Sequence, residues 1–411
     1  MGDAWVVGTG STAFRKWPHR TFRDLAADAV RQALEDAGDL GPDVEEITFG
    51  NCAMGRFGQR NVRGQVTLEP LLADGTLPRR APITNLECGC ATGSATLATA
   101  VRAVKSGEVD VALAVGVEKT VMPDRPEAML ALFLDGIDQL HPEEWQDYFG
   151  TIAEEAGVSW SPDPQRVLFL DVHALLTRHH MAQHGTTRAQ IAAVASKNHF
   201  HGSLNEKAQY RFEASVEEVL ADRKVVDPLT RAMCAPMSDG AAAVVVVSDA
   251  VARGMDRAIR VAGFATAGGA YRRLEAPSVT AAAAQRLWAR TSQRPDDVDV
   301  VEVHDATAGC EILHLEALGL QPQGQGGPRA AAGETRLGGP LPVNVSGGLV
   351  SRGHPLGATG LGMIDELVTQ LRGEAGPRQV DGARVGLAHN AGGAIGVDEA
   401  VAAVTLLERR E

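Results

Sequence analysis

From Ala4 to Glu118, short runs of wholly apolar residues alternate with segments whose apolar residues recur at helical spacing, and the alternation returns from about residue 256. Such a chain is committed to strands roofed by helices, because each unit buries one face only against the other kind. AWVVG at 4–8, Ile47 to Gly50 and VDVALAVGVE read as strands. Phe22, Leu25, Ala26, Ala29, Val30 and Leu34 mark a helix that ends near Gly38, and TGSATLATAVRAVKSG marks another. The strand pattern resumes at AAAVVVV (241–247), and in the second stretch RAIRVAGFAT, VDVVEVHD, LPVNVSG and ARVGLAHN read as strands, with helices near 277–292, 307–318 and 358–373. The alternation predicts an α/β fold with a largely parallel sheet.

Length and composition sharpen this. At 411 residues with 44% hydrophobic and only 4% aromatic content, the chain can bury two fused cores built from small aliphatic residues. Between about 120 and 225 the pattern turns charged and irregular and holds most of the tryptophans and histidines, which predicts an inserted cap. The expected division is therefore 1–119 plus 226–255, a cap at 120–225, and a second half at 256–411. QPQGQGGPRAAAGE (321–334) reads as a surface loop.

The formal net charge of −13 argues against a nucleic-acid surface, which needs a basic stripe. No apolar run is long enough for a membrane span, and the amino terminus lacks a basic region followed by a long apolar one, so a soluble cytoplasmic protein is expected. Five scattered cysteines (52, 88, 90, 234 and 310) suit reduced thiols. Cys88-Gly89-Cys90 has no second cysteine pair or nearby histidines to complete a zinc site, and His179-His180 point apart on a helix; no metal is expected.

Four stretches carry chemistry. In NLECGCATGSATLATAVRAVKSG, Cys90 falls between a strand and a helix start, where free N–H groups and the helix dipole favour thiolate. Cys90 is a candidate nucleophile; a buried packing residue is the alternative. In VDVVEVHDATAG, His304 and Asp305 end a strand, where open α/β sheets place ligands, although Asp305 could simply cap a helix. NVSGGLVSRGHPLGATG surrounds His354 with glycines, as a general base in a tight loop or as a plain turn. In VGLAHNAGGAIG, His389 and Asn390 end a strand, and Gly392-Gly393 can supply N–H groups to a developing oxyanion.

Taken together, CATGSA at Cys90, VEVHD at 301–305 and SGGLVSRGHPLGATG, with GVEK (116–119) and VVDPLTRAMCAPMSDGAAA (225–243), resemble the thiolase superfamily over nearly the whole chain. The likeness is greatest to its sterol-carrier-protein-related branch. The resemblance implies a thiolase fold: two β-α-β-α-β-α-β-β halves in five layers under a cap, commonly as a homodimer. It implies that Cys90 takes up the acyl group, that His354 activates the thiol, and that His304 holds the thioester oxygen of the second substrate. The N–H groups of Cys90 and of a glycine in the 391–393 turn, with Gly392 the first choice, would form a second oxyanion hole.

Ordinary thiolases carry a second cysteine in a Cys-x-Gly loop, where this chain has HNAGG; the sterol-carrier branch uses His-Asp-Cys-Phe, which here reads His304-Asp305-Ala306-Thr307. His389 is the first expected replacement for the proton-transferring cysteine, since imidazole titrates near neutrality. Cys310 is second, and Asn390 occupies the place if the register slips by one. Cys88 is a weaker rival to Cys90, while Cys52 and Cys234 are expected to pack. Arg178, Arg188, Lys197, Lys207, Arg211, Arg223, Lys224 and Arg231 could form a basic patch for coenzyme A phosphates.

The expected activity is a thiolase-type acyl transfer in lipid metabolism, cleaving or forming a 3-oxoacyl-CoA with the coenzyme A thioester as substrate and no permanent cofactor. The alternatives are acyl transfer without coenzyme A, retro-aldol cleavage of a branched acyl-CoA, and a non-catalytic thiolase-like subunit. A small zinc-ribbon and oligonucleotide-fold protein is a further expected partner by resemblance.

Overall fold

The computed structural model describes residues 2–163 and 166–410. The first half runs β1 (Ala4–Ser11), α1 (Phe22–Asp36), β2 (Glu46–Gly50), α2 (Arg63–Ala73), β3 (Ile83–Leu86), α3 (Thr92–Ser106) and β4 (Val111–Glu118). Helices α4 (Pro126–Leu134), α5 (Pro142–Glu155), α6 (Leu168–His184), α7 (Arg188–Ser203) and α8 (Val216–Ala221) follow, with a hairpin of β5 (Lys224–Val226) and β6 (Leu229–Thr230). β7 (Gly240–Ser248) then returns to the sheet, followed by the short α9 (Asp249–Ala252). The second half holds β8 (Ile259–Gly268), α10 (Val279–Trp288), β9 (Val300–Glu302), α11 (Ala308–Ala317), α12 (Gly326–Ala331), α13 (Gly348–Arg352), α14 (Leu356–Arg372), β10 (Val385–Gly392) and β11 (Val401–Arg409).

Nine strands form one sheet in the order β3-β2-β4-β7-β1-β8-β11-β10-β9. Read outward from the β1–β8 junction, each half places its first strand, then its last, then its middle strands, so the topology is duplicated. The junction is short, with Trp5 opposite Arg260 and Val6 opposite Ile259. Side chains of α3 and α14 share one core with strand residues from both halves, among them Leu97, Val101, Leu361, Ile364, Val244 and Val261. Helices α1 and α2 cover the outer face of the first half, and α10 and α11 that of the second. The outcome is five layers, α-β-α-β-α.

Three expectations need correction, the first being that 321–334 is no plain surface loop, since α12 runs through it and buries Gly326, Gly327 and Ala330. The sheet is not largely parallel: β2–β3, β2–β4 and β9–β10 are parallel, while the five pairs through the centre are antiparallel. The last strand of each half returns beside the first, and this antiparallel return is invisible to strand–helix alternation. LPVNVSG is not a strand either. It keeps one bridge, Val343 to Val301. Asn344 then turns left-handed at φ 56°, and its Oδ1 accepts the Val303 N–H at 2.8 Å in place of a ladder bond.

Buried polar groups lock the loops at the strand ends. Asp239 accepts from the N–H groups of Thr120 (2.9 Å), Val121 (3.0 Å) and Trp17 (3.0 Å) and from Lys119 Nζ at 3.1 Å. Glu118 accepts from Asn51 Nδ2 and the N–H groups of Cys52, Ala53 and Gly357, joining the β2 and α14 loops. Lys119 and Asp239 are both buried. Asp239→Asn strands the Lys119 charge, so it should lower unfolding free energy by about 3 kcal/mol in denaturant titration.

Candidate active site

Cys90 lies just before α3, in a turn where the Ala91 and Thr92 N–H groups donate to the Cys88 and Gly89 carbonyls. Thr92 Oγ1 pins the turn by donating to Gly89 O at 2.6 Å and accepting from the Cys88 N–H at 2.8 Å. Opposite stands the end of β10: a Cβ on Gly392 would fall 2.5 Å from the Ala91 nitrogen, so only glycine lets the two backbones meet. The N–H groups of Cys90 and Gly393 face the Cys90 sulfur. The Gly393 N–H is thus the one of the glycine pair beside the sulfur, and Gly392 serves by close approach.

His304 follows β9 and His354 precedes α14; their rings meet edge to face at 5.0 Å. One ligand atom each of Cys90, His304 and His354 lies within 4.8 Å of the others, the sole such cluster among the described residues. Thr359 Oγ1 donates to Pro355 O at 3.0 Å, so it accepts from His354 Nδ1 at 2.7 Å. His354 thus carries its proton on Nδ1, and its buried Nε2, with no partner among the described residues, bears a free lone pair. Asn390 Nδ2 donates to His304 Nδ1 at 2.9 Å, which leaves the His304 proton on Nε2. One imidazole is a base and the other a donor.

Burial sets their charge. It pushes His354 down to about 3 and, with the neighbouring histidines, holds His304 well below its usual range, so both are neutral near pH 7. The expected low-pKa thiolate is corrected. Burial, reinforced by Glu118 and Glu87, pushes Cys90 up to about 12. A helix terminus contributes at most about 2 kcal/mol, too little to offset desolvation.

His389 also departs from expectation. Successive residues of β10 face opposite sides, so Asn390 reaches His304 while His389 turns to the outer layer. There it bonds Thr280 at 2.9 Å, and its ring lies tilted against that of His314 at 4.4 Å. Cys310 contacts Thr307 Oγ1 at 3.2 Å and lines an outer crevice with His314. Cys52, expected only to pack, donates to Gly89 O at 3.0 Å beside the nucleophile turn. Asp305 caps α13, accepting from the Leu349 N–H at 2.6 Å.

The expected basic patch is largely neutralised. Arg178 and Arg188 share Asp227, Lys207 pairs with Asp365, Arg231 pairs with Asp222, and Lys197 is buried against Glu311. Arg211, Arg223 and Lys224 are exposed and form no ion pair among the described residues. His180, half of the discounted histidine pair, is buried against Glu316 at 2.9 Å. Sequence pattern marks Thr92 only as a small residue allowing close backbone approach, and does not mark Thr359 at all. A hydroxyl a few residues beyond each key residue was the available signal.

Two family models match, "Thiolase, N-terminal domain" over residues 4–250 and "Thiolase C-terminal domain-like" over residues 270–405. The chain belongs to the thiolase family. It is 37% identical over 399 residues to the acetyl-CoA acetyltransferase of Methanothermobacter thermautotrophicus, covering 96% of this chain and 97% of that protein. It is 35% identical over 402 residues to sterol carrier protein 2 of Bos taurus, covering 94% and 70%. A solved "Ltp2-ChsH2(DUF35) aldolase" shares its fold, with TM-score 0.76 and 22% identity over 100% of this chain and 99% of that one. This thiolase-family chain is a thiolase-type acyltransferase acting on coenzyme A thioesters. No helix among the described residues is long and apolar enough to cross a membrane.

With its proton held by burial, the Cys90 thiol should show iodoacetamide alkylation that keeps rising with pH beyond 9. Rates followed by peptide mass spectrometry check this, and a plateau below pH 8 would reveal an activated thiolate instead.

Proposed function

We propose that this thiolase makes or breaks the carbon–carbon bond of a 3-oxoacyl-CoA through an acyl-Cys90 intermediate, with acetyl-CoA as the simplest acyl donor. The observation that carries it is the pair of opposite histidine tautomers around one thiol. As Cys90 Sγ attacks the thioester carbonyl, its proton passes to His354 Nε2 and then to the departing coenzyme A sulfur. The N–H groups of Cys90 and Gly393 receive the oxyanion. The second thioester then binds with its carbonyl oxygen on His304 Nε2–H, and Asn390 keeps that tautomer in place.

A complete thiol–base pair favours this over a retro-aldolase, which needs no acyl-carrying thiol, and over a non-catalytic subunit. The same reading takes residues 1–119 with 226–255 and residues 256–411 as halves under a cap at 120–225. It includes a homodimer, supported by β3, an edge strand whose outer ladder is open and which leads directly into the Cys90 turn. A small zinc-ribbon and oligonucleotide-fold partner is also part of it, supported by the DUF35 component named in the solved aldolase's title.

Incubation with acetyl-CoA should add one acetyl mass to the Cys90 peptide, and Cys90→Ala should abolish both the adduct and turnover while the fold survives. Turnover retained in Cys90→Ala, or an adduct confined to Cys88, sinks the assignment. His354→Ala should slow single-turnover acylation by about 10²–10⁴-fold, whereas His304→Ala should leave acylation near wild type and impair condensation. Equal acylation loss in both variants would dissolve the division of roles.

A further inference from the structure

The condensation step needs a group that removes a proton from carbon, and neither cysteine position of the family supplies one here. Helix α6 offers a candidate from the cap. Phe169, His173 and Thr177 are spaced four residues apart and share one face of it. Phe169 packs on Gly136, whose carbonyl accepts the Ala394 N–H at 2.8 Å beside the Gly393 turn. Thr177 packs on Gly309 in the first turn of α11, five residues beyond His304. The helix is thereby fixed at Phe169 to the segment beside the Gly393 turn and at Thr177 to the start of α11, with His173 between the two contacts.

His173 is buried, and its Nδ1 has no hydrogen-bond partner among the described residues. Burial holds it below the usual histidine range, so it is a neutral base near pH 7. Once protonated, it would disfavour charge on His354, His304 and His314 and favour the Glu399 carboxylate, so it lies near all four. Glu399 accepts from His314 at 3.0 Å. Although burial opposes its charge, that bond and the surrounding imidazoles push it down to about 2, so it stays a carboxylate. Glu399 and His314 line an open crevice of about 480 Å³.

We propose that His173 is the proton-transferring residue of the carbon–carbon bond step, and that the buried Glu399 carboxylate, oriented by His314, stabilises the imidazolium it becomes. The inference rests on the acyl-Cys90 reading. The α-C–H bond of the second thioester breaks, its proton passes to His173, and its electron pair forms an enolate whose oxygen lies on His304 Nε2–H. The enolate carbon attacks the acyl-Cys90 carbonyl. As the new bond forms and the carbon–sulfur bond breaks, the sulfur leaves with its electron pair and the proton is returned to it. Cleavage runs through the same steps in reverse.

The test uses the full chain with acetyl-CoA in D2O, reading α-deuterium uptake into acetyl-CoA and the acyl mass on Cys90 in parallel. His173→Gln should form the acyl enzyme close to the wild-type rate yet lose exchange by about 10²–10⁴-fold. Added imidazole should restore exchange to His173→Ala, a response that a packing role would not give, and Glu399→Gln should lower exchange without slowing acylation. Wild-type exchange in His173→Gln overturns the proposal, as does joint loss of acylation and exchange that imidazole leaves unrescued in His173→Ala. Wild-type protein that exchanges but is never acylated sinks the acyl-enzyme reading alone; wild type doing neither sinks both.

Discussion

The amino-terminal ends of α3 and α14 meet at the centre of the molecule, and the site exists because they can come that close. A Cβ on Gly93 would fall 2.9 Å from the Gly360 nitrogen, and one on Gly360 would fall 2.5 Å from the Ser94 nitrogen. Each helix belongs to a different half, and two residues before each stands a member of the thiol–imidazole cluster, Cys90 or His354. Backbone-to-backbone contact therefore converts the duplicated fold into a single centre. Larger residues would hold the thiol and its base apart, however well each half packed alone.

Desolvation governs the chemistry at that contact. A thiol held near 12 beside an imidazole held near 3 is a neutral pair, so the protein stores no resting ion pair in the crevice. In the proposed reaction charge arises only when a thioester carbonyl is present to accept it, and the Cys90 and Gly393 N–H groups already lie beside the sulfur. The two imidazoles are kept distinct by one hydrogen bond each, donated by His354 to Thr359 and accepted by His304 from Asn390.

The buried carboxylates nearby act mainly as joints. Asp239 ties the β4 and β7 ends to the Trp17 loop, Glu118 ties the β2 end to the α14 loop, and Asp305 caps α13 ahead of His354. Burial raises Asp305 well above the usual carboxylate range and Glu118 to about 7, so both are poor sources of fixed charge, and their N–H donors position loops instead. Landmarks such as GVEK, SDG and HD thus encode loop geometry around the reacting residues rather than additional catalysts.

The sequence by itself determined the α/β class, most elements and the stretches that hold Cys90, His304 and His354, because periodicity, glycine loops and strand ends are local features of the chain. Strand direction and the shared central layer were decided by tertiary structure, since pairing β1 with β7 and β8 joins residues more than 200 positions apart. The same holds for side-chain facing and charge. A one-residue step along β10 sends Asn390 to His304 and His389 to the outer layer, and only the folded strand tells which is which. The helix-start position of Cys90 suggested a thiolate, yet burial by residues distant in sequence outweighs the dipole, because removing charge from water costs more than a helix end returns.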